Sequence, residues 1–285
     1  MARLLVLGSM SFDVNWIGTR SLRKLGGVVT YAGLTARRLG FEVGVVTSVG
    51  WDDHHALDRL GRDGVVFHAR IGAASTRFVN SFQGNRRVQR LDSVADPIRA
   101  RDLPEIAGST VLLGALHPGD IAADVLDRLE SFEGPVVADL QGWVRRVEGR
   151  EVLPGASPEL ERVLRRASVI KADPDELAVA LESLGCDEAA LCERFGVEEL
   201  VITAGRRGGH IRLAGGGIVE YAAAEADPAN DTTGAGDVFF AAYLAARSVR
   251  GLDAAAAARE AAAVAARQVE GRWLEETLLA LETPA

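Results

Sequence analysis

The chain has 285 residues, 48% of them apolar, a net charge of −8 and a mean hydropathy of +0.08. That is enough for a sizeable core, as one large α/β unit or two smaller ones, and the acidic balance, with no basic run beyond pairs such as Arg86-Arg87 and Arg165-Arg166, speaks against nucleic acid. No uncharged apolar stretch reaches 18 residues, the opening MARLLVLGSM is too short and strand-like for a signal peptide, and Cys186 and Cys192, six apart, suit neither a disulfide framework nor zinc, so a reduced, cytoplasmic protein is expected.

Residues 3–8 (RLLVLG) are a continuous apolar run closed by glycine, the pattern of a buried parallel strand. Residues 9–13 follow as a loop at its carboxyl end, where α/β sheets bind ligands. Gly26 and Gly27 open a helix within residues 25–40, with apolar positions three and four apart. Residues 42–50 are a second strand, a helix begins at 51–53, and 65–69 is a short strand. Alternation of Phe78, Asn80 and Phe82, a turn at Gln83-Gly84-Asn85, then Arg87, Gln89 and Leu91 predict a hairpin over 75–91. Residues 110–116 (TVLLGAL) and 135–140 (PVVADL) are further buried strands, with a helix between them that ends at Phe132. His117, before Pro118-Gly119, reads as a turn residue rather than an acid–base group, whereas Asp139 and Gln141 fall on the ligand edge.

Residues 168–176 (SVIKADPDE) carry a strand ending at Lys171 and then a helix start. Asp173 and Glu176, three apart, bring two carboxylates near one face and also fit a capping box. Residues 200–209 (LVITAGRRGG) are a strand entering a glycine loop, and 209–221 a hairpin turning at 214–217. Residues 252–269 and 272–281 read as helices. The stretch 231–237, DTTGAGD, leads into the apolar run VFFAAYLAAR. Thr232 or Thr233 is a candidate N-cap for a helix from about Gly234 to Arg247. Its first turn offers unpaired amides and the positive end of the helix dipole to an anion, phosphate above all. Asp237 stands just inside that turn, where a carboxylate can take a proton from an incoming hydroxyl while the amides hold a phosphoryl group. Taken alone, the same residues also describe an ordinary capped helix.

Residues 231–237 and the helix after them match the signature of the ribokinase-like (PfkB) sugar kinases, and the chain resembles that family along its length. The resemblance implies a doubly wound α/β fold, a three-layer sandwich with a small β-sheet lid, as a single domain over 1–285 with lid segments at about 14–25 and 75–91. It implies that Asp13, Gly26 and Gly27 contact the acceptor, together with Tyr31, which stands where the family usually has Asn and points to its inositol-kinase-like branch. Asp139 and Gln141 are further acceptor candidates. Thr203, Gly205 and Gly208 match the family's Thr-x-Gly-x-x-Gly nucleotide loop, with Thr233 as another nucleotide contact. Asp173 and Glu176 stand where the family has Asn-x-x-Glu, which implies a role at magnesium and the donor phosphates. Asp231 matches a monovalent-cation position, leaving potassium an open question.

The implied reaction moves the γ-phosphoryl group of ATP, with Mg2+, to a hydroxyl of a sugar or cyclic polyol. Asp237 is the implied base, and the amides of Gly234, Ala235 and Gly236 stabilise the moving charge. The expected partner is that small molecule, with no nucleic acid and no membrane, for a monomer or homodimer. A nucleoside kinase of the same fold and a non-catalytic sugar or nucleotide sensor are the alternatives; Asp237 argues against the sensor. A P-loop kinase is excluded because neither Lys24 nor Lys171 follows a glycine, and a dinucleotide oxidoreductase because no strand runs into G-x-G-x-x-G.

Overall fold

The computed structural model describes residues 1–17, 19–83, 86–227 and 232–281. The first part of the chain forms β1 (Arg3–Leu7), β2 (Ser11–Ile17), β3 (Arg20–Gly26), α1 (Val28–Arg38), β4 (Glu42–Gly50), α2 (His55–Gly61), β5 (Val66–Gly72), β6 (Arg77–Gln83) and β7 (Arg86–Ser93). Then come β8 (Ser109–Leu113), α3 (Ala123–Glu130), β9 (Val136–Asp139), β10 (Arg145–Glu148), β11 (Glu151–Pro154), α4 (Leu160–Arg166) and β12 (Val169–Ala172). The last part holds α5 (Pro174–Leu184), α6 (Glu188–Phe195), β13 (Glu199–Thr203), β14 (Gly209–Leu213), β15 (Ile218–Tyr221), α7 (Ala235–Ser248), α8 (Ala254–Val269) and α9 (Glu276–Leu279).

Continuous apolar strands need cover on both faces, and the main sheet has it. Its order is β15-β14-β13-β12-β9-β8-β1-β4-β5. The seven strands from β13 to β5 are parallel, and β14 and β15 add an antiparallel edge. One face packs Leu126, Leu129, Val163, Leu164, Leu177 and Phe195 from α3 to α6. The other packs Val28, Val29, Leu34, Phe240 and Leu244 from α1 and α7, while the alanines of α8 close on Phe239 and Tyr243. From β1 the chain winds outward to β4 and β5, then returns to β8 and winds the other way. The crevice of such a sheet opens at this switch point, beyond the carboxyl ends of the strands.

Six strands form a second sheet over that crevice, in the order β10-β11-β7-β6-β2-β3. This is the expected three-layer sandwich with a β lid. Three local expectations are corrected. Asp13 lies on lid strand β2, not in a loop, because β2 pairs with β3 along its whole length. The hairpin β10–β11 also belongs to the lid; its sequence, RRVEGREVLP, is too charged to show apolar alternation. Residues 272–281 are helical only at Glu276–Leu279, because Ala280 bridges Lys24 and Leu281 donates its N–H to the Arg23 carbonyl, so pairing with the lid edge overrides helix propensity. No helix among the described residues is long and apolar enough to cross a membrane.

Candidate active site

A cavity of about 760 Å³ runs beneath the lid, along the carboxyl ends of the parallel strands, to α8. At its lid end stand Ser11 and Asp13 of β2, Phe78 of β6, Gln89 of β7, and Leu116, Gln141 and Arg145 beyond β8 and β9. At its far end stand Thr203, the loop Gly205–Gly208, Ala223, Ala224 and Ala226, and the α8 side chains Ala262, Ala265, Ala266 and Val269.

The start of α7 lies between the two ends. The cap differs from expectation. Neither threonine caps the helix; the N-cap is Gly234, in the left-handed region at φ 78°. A Cβ there would stand 2.2 Å from the Tyr31 ring, so the buried ring and the bare glycine are made for each other. Tyr31 donates its hydroxyl to the Leu25 carbonyl at 3.4 Å. The tyrosine at the family's asparagine position thus supports the α7 turn and presents part of its ring to the cavity. The Ala235 amide donates to the Thr232 carbonyl at 3.2 Å, so the amides of the turn that can serve an anion are those of Gly236 and Asp237.

Asp237 lies on the cavity wall among charges from the ends of β9 and β12 and the start of α5. Lys171, next to last in β12, donates to Asp139 Oδ2 on the neighbouring strand β9 at 2.9 Å. Burial alone would push the Lys171 ammonium down, but Asp139, Glu176 and Asp237 together hold it above its ordinary value. The Asp237 carboxyl is pushed up to about 7, first by burial and then by Asp139, with Lys171 pulling the other way. A carboxylate tuned there is suited to accept a proton near neutral pH.

Asp173 and Glu176 form a full capping box at the start of α5: Asp173 Oδ1 accepts the Glu176 N–H at 2.8 Å and Glu176 Oε2 accepts the Asp173 N–H at 2.9 Å. Burial raises the Glu176 carboxyl. Both line the cavity with oxygen atoms of the kind magnesium takes. No cluster of three or more His, Cys, Asp or Glu fit to hold a metal occurs among the described residues. Asp231 lies outside the described residues.

The cavity wall brings together Asp13, Gly27, Tyr31, Gln141, Asp173, Glu176, Thr203, Gly205, Gly208, Thr233, Gly234, Ala235, Gly236 and Asp237. Two expected acceptor contacts are corrected: Asp139 stands behind the wall as the partner of Lys171, and Gly26 stands behind Gly27, with Ser11 Oγ and Asp13 Oδ2 each 2.5 Å from where a side chain would begin. Ser11, whose buried Oγ has no hydrogen-bond partner among the described residues, was missed, although its i, i+2 spacing from Asp13 on a strand puts both on one face. Lys171 and Arg145 were also missed. His117 is off the wall; its Nδ1 accepts the Gly119 N–H at 3.2 Å, and burial lowers its pKa, as befits a turn residue.

Residues 144–274 match the family model described as pfkB family carbohydrate kinase. The fold is that of the ribokinase family. A pyrophosphate-dependent kinase of that family, solved with a pyrophosphate analogue and myo-inositol, superposes with a TM-score of 0.82 at 24% identity, over 93% of this chain and 94% of its own. A nucleoside kinase from Burkholderia thailandensis, in complex with inosine, gives 0.77 at 20% identity over 94% and 90%. Ribokinase from Thermotoga maritima gives 0.73 at 18% over 98% and 96%. A search of curated proteins finds no match. The expected PfkB resemblance is borne out by the family model over residues 144–274 and by the shared fold of the solved structures.

Proposed function

We propose that this chain transfers the γ-phosphoryl group of ATP to a hydroxyl of a cyclic polyol or sugar, as a single functional domain over 1–285 in the cytoplasm. The observation that carries the reading is one continuous cavity with a polar lid end, an apolar far end, and Asp237 beside a helix N-terminus between them. The acceptor lies at the lid end, where Ser11, Asp13, Gln89 and Gln141 offer hydrogen bonds to hydroxyls. The nucleobase lies in the slot lined by Ala262, Ala265, Ala266 and Val269, whose small side chains leave room for a flat ring. Thr203, Thr233 and the bare backbone of Gly205 and Gly208 approach the donor phosphates.

In the reaction the Asp237 carboxylate takes the acceptor's hydroxyl proton as its oxygen attacks phosphorus. The first-turn amides of α7 take the charge that spreads over the phosphoryl oxygens, the contribution that dominates such transfers. Lys171, locked to Asp139, keeps a fixed positive charge under this turn, with its Nζ 3.3 Å from where a Gly236 side chain would begin. Asp173 and Glu176 would hold magnesium, directly or through water, and the ion would supply charge neutralisation between the donor phosphates. The lid excludes water, which protects the donor from hydrolysis.

A second reading concerns the donor alone. The pyrophosphate dependence of a structural neighbour, together with Arg206 and Arg207 in the 205–208 loop, favours pyrophosphate in place of ATP. The apolar slot favours ATP, because pyrophosphate has no ring to fill it. The test is product formation with ATP or pyrophosphate over myo-inositol, ribose, fructose and inosine. Asp237→Asn is expected to fold, to bind ATP, and to lose about 10²–10⁴-fold in kcat. Near-normal turnover by that variant would remove Asp237 from the role of base.

A further inference from the structure

Among the described residues the cavity wall carries four cations: Arg206 and Arg207 on the exposed 205–208 loop, Lys171, and Arg145. Lys171 is held by Asp139. Arg145 is placed differently from the other three. It follows the one-turn segment Gln141–Val144 beyond β9 and is the first residue of lid strand β10, so it stands where the core becomes the lid.

That placement is rigid. Trp143 is fully buried, and its backbone amide donates to the Leu140 carbonyl at 2.9 Å. Gly142 presses on the backbone beyond β8, where a Cβ would meet the Ala115 carbonyl at 2.4 Å. Arg145 Nη1 donates to the Leu116 carbonyl at 3.1 Å. The guanidinium is thereby held at Leu116, on the wall of the cavity that Gln141 and Asp237 also line. It is also one of the charges that act on the Asp237 carboxyl, which places it within electrostatic reach of the reacting centre.

We propose that Arg145 is a catalytic residue, its guanidinium pairing with the phosphoryl group as that group passes from donor to acceptor. The proposal rests on the kinase reading above and adds to it. In the step, the donor's P–O bond breaks and a new P–O bond forms to the acceptor oxygen. The acceptor proton goes to the Asp237 carboxylate, and the electron pair of the broken bond leaves with the shortened donor. The charge spread over the equatorial oxygens then meets amides of α7 on one side and a planar two-pronged donor on the other.

The experiment compares Arg145→Ala, Arg145→Gln and Arg145→Lys with the wild-type chain, using ATP and the best acceptor of the four-compound panel. Melting temperature and calorimetric ATP binding serve as checks on folding. Arg145→Ala and Arg145→Gln are expected to lose about 10²–10³-fold in kcat, the range for removal of one charge-stabilising donor, with both KM values within about threefold. Arg145→Lys is expected to recover little, since an ammonium lacks the fork. Added guanidinium ion is expected to raise the rate of Arg145→Ala by about tenfold or more and to leave Asp237→Asn unchanged. A folded Arg145→Gln with kcat within threefold of wild type overturns the proposal. So does a loss confined to acceptor KM without guanidinium rescue, which would make Arg145 a binding residue. Wild-type turnover with Asp237→Asn inactive and Arg145→Gln normal sinks this inference alone; no turnover by wild type on any pairing sinks the kinase reading and this inference with it.

Discussion

The two ends of the cavity are built by different means. From the start of α7 to the α8 end the chain offers main chain and small residues: Gly205, Gly208, Gly234, Gly236 and a strip of alanines. At the lid end it offers side chains. There Gln89 Nε2 donates to Asn80 Oδ1 at 3.0 Å and Asn80 Nδ2 to Asn15 Oδ1 at 2.7 Å, an amide ladder across β7, β6 and β2 that ends at the cavity with Gln89. A backbone cradle needs particular residues at fixed local spacing, because only they allow the approach. A side-chain surface needs only that distant strands meet, and it can change residue types without changing the fold. On the proposed reading, the first end takes the donor and the second the acceptor.

The largest test of that contrast is Gly234→Ala. The position combines φ 78° with a Tyr31 ring 2.2 Å from the added carbon. The clash displaces either the start of α7 or a fully buried ring, at about 1–3 kcal/mol, read as a lower denaturant midpoint. Displacing the turn also moves the amides and Asp237 together, so activity falls at least about 100-fold. Adding Tyr31→Ala removes the clash but not the left-handed backbone, so stability returns only in part. Normal turnover by Gly234→Ala would show that the main chain here is not the fixed half of the site.

A smaller effect is read in pH. As the proposed base, Asp237 would work only when ionised, and its carboxyl is pushed up to about 7. The log of kcat/KM is therefore expected to fall by about one unit per pH unit below 7 and to level off above it. The stability sign follows from the same shift. An acid whose folded-state pKa is raised binds its proton more tightly when folded, so this contribution is fullest below about pH 4 and is lost as pH rises through about 7. Asp237→Asn removes that loss and is expected to melt higher than wild type at pH 8, while the difference narrows at pH 5. A rate flat from pH 5 to 8 would show that the two ends do not meet at a titrating carboxylate.

The same contrast explains what could be read before the fold was known. Residues 203–208 and 232–237 were legible as cavity wall because their glycines and threonines serve the backbone locally. The parallel strands were legible as apolar runs. Arg145 was not, since its meaning depends on β10 joining a lid whose other strands lie about 50 and 130 residues away. Tyr31 was read as an acceptor contact, yet its ring is matched to a glycine two hundred residues later, a pairing no local pattern carries. Asp139 looked like an edge carboxylate and proved to be the buried partner of Lys171, because strand register, not sequence spacing, sets them side by side.

The finest test is a matched pair. Gln89→Leu removes the polar group that the amide ladder holds at the lid end. One lost hydrogen bond of about 0.5–1.5 kcal/mol predicts a rise of about 2–12-fold in acceptor KM with donor KM unchanged. Ala266→Leu narrows the slot at the opposite end and is expected to raise the KM for ATP by about tenfold, with acceptor KM unchanged. The second variant also decides between the donors. Pyrophosphate has no group that reaches α8, so an enzyme that used it would keep its donor KM in Ala266→Leu. If instead each variant moved both KM values together, the two ends would be energetically one surface, and the division between a backbone-built donor half and a side-chain-built acceptor half would fail.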